Sequence, residues 1–189
     1  IEDILKHNTD VVVIVDEAYI DFGGTSALAL IDSYENLLVV RTFSKSRSMA
    51  GLRIGYAIGN PELIQALNNV KYSFNSYTMN RPAIELGVES LRDEAYFQET
   101  VGKIVKTRAW FEEEMKKLGF EFPDSKANFI FATHKNAAAE DIFKAAKEKN
   151  IYVRYFKQPR IDNYLRITIG TDEEMQQLLQ FLKEYLKES

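Results

Sequence analysis

Cysteine is absent from this 189-residue chain, which excludes disulfides and thiolate metal sites alike. Histidine is nearly absent too: His7 and His134 stand apart from any acidic cluster, so no metal-ligating pattern is expected. No apolar run approaches the roughly 20 residues that a helix needs to span a bilayer. No signal-peptide pattern opens the chain. A strong excess of one charge is also lacking, and the net charge of -4 gives no reason to expect nucleic acid or an anionic membrane as partner. These absences are compatible with a reducing, cytoplasmic setting. A hydrophobic content of 46% is enough for one core or two small ones.

Two apolar runs carry the information that is there. Val11-Val12-Val13-Ile14-Val15 ends in Asp16, with Ala18 and Tyr19 just beyond; Leu37-Leu38-Val39-Val40-Arg41-Thr42 leads into Phe43-Ser44-Lys45, and Arg53 follows. Continuous apolar runs of this length read as buried strands of a parallel sheet, and open α/β sheets place ligands at the carboxyl ends of such strands. A lysine amine there can form a Schiff base with an aldehyde and afterwards carry a proton. Asp16 would pair with a pyridine nitrogen and Tyr19 would donate to a phenolate oxygen. Ser44 and Arg53 would hold a phosphate, and Ala18 would floor the ring. That set of demands is the set made by pyridoxal 5'-phosphate. Singly each residue is ordinary, since lysines are mostly solvated and an aspartate after a strand is commonly a turn or cap residue. The conjunction at two strand ends is not.

These segments, with Ala50-Gly51-Leu52-Arg53-Ile54-Gly55-Tyr56, Ala127-Asn128-Phe129-Ile130, Ile151 to Phe156 and Tyr164 to Thr171, resemble the fold-type I pyridoxal phosphate aminotransferases, most nearly their histidinol-phosphate branch. The resemblance implies Lys45 as the catalytic residue, and Asp16, Ala18, Tyr19, Ser44, Lys45 and Arg53 as cofactor contacts. It further implies Arg166 and Arg154 as holders of the substrate's carboxylate or phosphate. The implied activity is amino transfer between histidinol phosphate and 2-oxoglutarate in histidine biosynthesis, by a homodimer. Another aminotransferase or a decarboxylase or lyase would use the same cofactor residues, and a non-catalytic fragment is the different-class alternative. Relatives carry further cofactor contacts in an amino-terminal half not found here, so a carboxyl-terminal portion with little activity of its own is expected. Ser46-Arg47-Ser48-Met49 departs from the smaller, less charged stretch of many relatives.

Alternating strands and helices indicate an α/β fold: part of a large, mostly parallel-sheet domain over 1–93, then an interdomain helix and a small α/β domain over 94–189. Strands are expected near 10–15, 37–42, 51–59, 127–132, 151–156 and 164–169. Asn60-Pro61-Glu62 has helix-start chemistry. Further helices are expected over 26–34, 80–92, 138–149 and 172–187, the last opened by a capping box from Thr171 to Glu174. In Glu94 to Leu118, Phe97, Val101, Ile104, Arg108, Phe111, Met115 and Leu118 form one stripe. Arg108 is expected to lay its stem on the core and its head in water. Alternation puts Arg166 on the face opposite Leu165 and Ile167.

Overall fold

The computed structural model describes residues 1–188, which divide into two compact units, Ile1–Glu99 and Thr100 onward. In the first unit α1 (Glu2–His7) precedes β1 (Val13–Asp16), β2 (Leu37–Thr42) and β3 (Gly55–Gly59), followed by α2 (Pro61–Phe74) and α3 (Arg81–Arg92). β1 pairs parallel with β2, Asp16 opposite Val40; β3 returns antiparallel, Gly55 opposite Thr42. One sheet edge therefore collects the end of β1, the end of β2 and the start of β3. Leu5, Ala27, Leu37 and Val39 cover one face of this sheet.

Three expectations need correction here. Val11, Val12 and Ile14 are exposed, because β1 is an edge strand and only its Val13 and Val15 face meets the Leu5 cluster. The segment 27–33 is a 3-10 helix capped by the Ser26 side chain. Residues 50–52 are a 3-10 turn and not strand, since Arg53 adopts a left-handed backbone (φ 58) that interrupts the extended chain before Gly55.

α4 (Glu94–Lys117) begins at the end of the first unit's residues and runs into the second. The second unit continues with β4 (Phe120–Glu121), β5 (Phe129–His134), α5 (Ala139–Glu148), β6 (Arg154–Tyr155), β7 (Leu165–Thr168) and α6 (Asp172–Glu188). Its sheet is antiparallel throughout in the order β4-β5-β7-β6. Phe111, Met115, Ile130, Leu165, Ile167 and Leu182 are among its fully buried core side chains. The Thr171–Glu174 box closes with both reciprocal bonds, Thr171 N donating to Glu174 at 2.8 Å and Glu174 N to Thr171 Oγ1 at 3.2 Å. The head of Arg108 does not reach water: the residue is 5% exposed and its guanidinium donates to the Ala127 carbonyl at 2.6 Å. Burial here is tolerated because a carbonyl, and Glu112 at 3.9 Å, receive the cation. No helix among the described residues is long and apolar enough to cross a membrane.

Candidate functional site

The first unit gathers its chemistry at the shared sheet edge. Asp16 ends β1 exposed, its Oδ1 accepting from the Ala18 amide at 3.0 Å, which turns the chain so that Tyr19 follows at once. Lys45 is exposed, and its Nζ stands 5.4 Å from the centroid of the Tyr19 ring. Ser44 is tied back to the strand end: its amide donates to Thr42 Oγ1 at 3.1 Å, and that hydroxyl donates to Ser44 Oγ at 2.9 Å. Arg53 caps the turn before β3, donating from Nη1 to the Ala50 carbonyl at 2.8 Å. Its positive φ is uncommon for a non-glycine residue, and such backbone cost concentrates at binding sites.

Underneath lies an ion pair that the sequence reading missed. Glu17, its side chain 3% exposed, accepts from Arg41 Nε at 3.0 Å and Nη2 at 2.8 Å, from Ser26 Oγ at 2.8 Å and from the Ala27 amide at 2.6 Å. Burial works against the Arg41 charge, but the bonds to Glu17 and Tyr56 outweigh it and hold the guanidinium above its ordinary pKa. The pair ties the residue after Asp16 to the residue before Thr42, fixing the two strand ends that carry Asp16 and Lys45. The signal for it was the acid directly following Asp16, which a buried position obliges to find a cation.

The second unit holds a cationic face. Arg166 lies on the β7 side opposite buried Leu165 and Ile167, as alternation requires. Its guanidinium is 5.4 Å from the Phe129 ring and 5.8 Å from that of Phe156, and its Nε is buried with no hydrogen-bond partner among the described residues. Arg154 of β6 stands directly opposite it, 5.3 Å from Phe156. Phe131 pairs with Arg166 in register and stacks on Tyr164 with centroids 4.7 Å apart. A buried guanidinium nitrogen without an acceptor, facing a second arginine, is chemistry waiting for an anion.

The donors present fit an anionic, aldehyde-bearing aromatic group: an exposed amine over a phenol, a carboxylate at the adjoining strand end, and a hydroxyl and a guanidinium beside the turn. Among the described residues no group of three or more His, Cys, Asp or Glu could hold a metal ion.

Comparison with known proteins gives the family. The model described as aminotransferase class I and II matches residues 1–182. A histidinol-phosphate aminotransferase of Brachyspira hyodysenteriae is 54% identical over 188 residues, covering 99% of this chain and 53% of the relative. The crystal structure of the histidinol-phosphate aminotransferase from Clostridium acetobutylicum superposes with a TM-score of 0.90 at 27% identity, over 100% of this chain and 58% of that one. That of the histidinol-phosphate aminotransferase from Sinorhizobium meliloti, in complex with pyridoxal-5'-phosphate, gives 0.84 at 26% identity, over 99% and 53%. The chain spans about half the length of the curated relatives it matches.

Proposed function

The chain belongs to the aminotransferase class I and II family, and from that premise we propose that it serves a pyridoxal 5'-phosphate-dependent aminotransferase acting on histidinol phosphate and 2-oxoglutarate. The observation that carries this reading is the Lys45 amine over the Tyr19 ring, at the sheet edge where β1 delivers Asp16. The names of the similar proteins support histidinol phosphate as the amino donor.

Pyridoxal phosphate, when bound, supplies an electron-withdrawing ring that makes the α-hydrogen of an attached amino acid acidic. In our reading the Lys45 amine would hold the cofactor through its aldehyde and, when free, would move a proton at the substrate α-carbon. Asp16 would accept a hydrogen bond from the ring nitrogen and keep it protonated. Tyr19 would donate to the ring oxygen. Ser44 and Arg53 would bind the phosphate, and Ala18 would present a small apolar surface to the ring. Arg166 and Arg154 hold the anionic end of each substrate, a phosphate in one half-reaction and a carboxylate in the other, since guanidinium pairs with both. Residues 1–93 would form part of the large cofactor-binding domain and 94–189 the interdomain helix and small domain of a homodimeric protein.

The test is amino transfer by the complete protein from histidinol phosphate to 2-oxoglutarate, followed as glutamate formed. Equal turnover of histidinol phosphate and of unphosphorylated aromatic amino acids would overturn the substrate assignment. Carbon dioxide release from an amino acid without keto product would overturn the reaction.

A further inference from the structure

The Ser46-Arg47-Ser48-Met49 stretch, which the cofactor reading leaves unused, is anchored on two sides. Ser46 is buried and donates from Oγ to Asp21 at 2.5 Å, two residues beyond Tyr19. Arg47 points the other way. Its Nη1 donates to the Ser90 carbonyl at 2.6 Å, in the last turn of α3, where carbonyls lack helical partners. Its guanidinium lies 4.1 Å from the Phe97 ring centroid and 5.6 Å from that of Phe43, with Nη2 3.9 Å from Glu94. Only 13% of this side chain is exposed. A cation suits the carboxyl end of a helix, and the flat guanidinium adds stacking that an ammonium cannot reproduce.

α3 also meets the rest of the same loop. A Cβ at buried Gly87 would lie 3.0 Å from Ile54 Cδ1 and 3.5 Å from Phe43 Cε2, so the helix abuts the two residues that open and close the loop. Between them the chain is folded on itself: Phe43 N donates to Ile54 O at 3.1 Å, Met49 N to Phe43 O at 3.0 Å, and Ser48 N to Lys45 O at 3.0 Å. Ser48 takes a positive φ of 56 to close that turn. Lys45 is thus the first residue of a strained turn whose third is Arg47.

We propose that Arg47 is a positioning residue: by fastening the Lys45–Ser48 turn to the carboxyl end of α3, it fixes the direction in which the Lys45 amine leaves the loop. This rests on the role given to Lys45 above.

The experiment compares the complete protein with its Arg47→Met, Arg47→Lys and Lys45→Ala variants. Without cofactor, hydrogen exchange of the Ser48 and Met49 amides rises about tenfold or more in Arg47→Met while β1 and β2 amides keep their protection. Arg47→Lys restores part of it. With pyridoxal phosphate, the pH titration of the bound cofactor's absorbance moves and kcat falls about tenfold or more, with KM changed by less than about threefold. Exchange that is unchanged, or raised uniformly along the chain, with an unmoved titration would make Arg47 a stabilising residue only and overturn the proposal. If Lys45→Ala keeps the same titrating absorbance, the role of Lys45 falls, and the positioning role with it; if Lys45→Ala loses it while Arg47→Met behaves as wild type, the positioning role alone falls.

Discussion

Arg154 and Arg166 face one another across the β6–β7 pairing, two like charges in direct register with an aromatic ring, Phe156, near both. Directly opposed like charges destabilise a sheet, and here the buried Arg166 Nε has no acceptor among the described residues to offset it. A bound anion removes both costs. Phosphate is therefore expected to raise the melting temperature above that in chloride at equal ionic strength, by ligand linkage. Arg166→Met is expected to shrink the increment, leaving the part that Ser44 and Arg53 contribute, and to melt no lower than the parent in chloride. Calorimetry in the two salts reads both.

Glu17 and Arg41 form a buried pair in which each partner answers the other's charge. Removing one side leaves the other uncompensated, which typically costs about 3–5 kcal/mol. Glu17→Leu is expected to lose that much in urea titration. Glu17→Met combined with Arg41→Met is expected to recover most of it, because paired apolar replacement leaves no orphan charge. A loss in the double variant equal to the sum of the two single losses would show that the pair is not coupled.

Glu112 gives a pH dependence. Burial raises its carboxyl pKa more than Arg108 lowers it, and its Oε1 is buried without a hydrogen-bond partner among the described residues. A carboxyl whose folded pKa lies above its unfolded value favours folding fully below the unfolded value. That contribution is lost as pH rises through the folded one. Glu112→Gln removes this titration. The stability difference between variant and parent is thus expected to shift in the variant's favour as pH rises from the ordinary carboxylate range toward neutrality. A difference constant across that window would contradict it.

Local chemistry was the legible part of the sequence. Asn60 caps α2 by accepting from Glu62 N at 2.9 Å, where the cap-and-proline pattern put it, and Asn80 caps α3, a helix expected from residue 80, by accepting from Ala83 N at 2.8 Å. The burial of Leu165 and Ile167, with Arg166 turned away from them, followed from a period of two. What the pattern could not carry was partner choice. The same apolar run reads as buried whether a strand is central or at an edge, so Ile14 was misread. Arg108 on an apolar stripe reads as snorkelling until the Ala127 carbonyl is brought to it from 19 residues away. Phe120–Glu121 is too short to leave any alternation and forms a strand only by pairing with Thr133 and His134. The left-handed Arg53 was invisible for a related reason: nothing in Gly51-Leu52-Arg53-Ile54 distinguishes a cap from an extended chain.

The measurement that bears most directly on the central claim is borohydride reduction of the complete protein with pyridoxal phosphate, followed by intact mass and peptide mapping. One cofactor adduct per chain, confined to Lys45 and absent from Lys45→Ala, is the expected result. An adduct carried on another lysine, or one that persists in Lys45→Ala, would contradict the assignment of the Lys45 amine as the group that holds the cofactor.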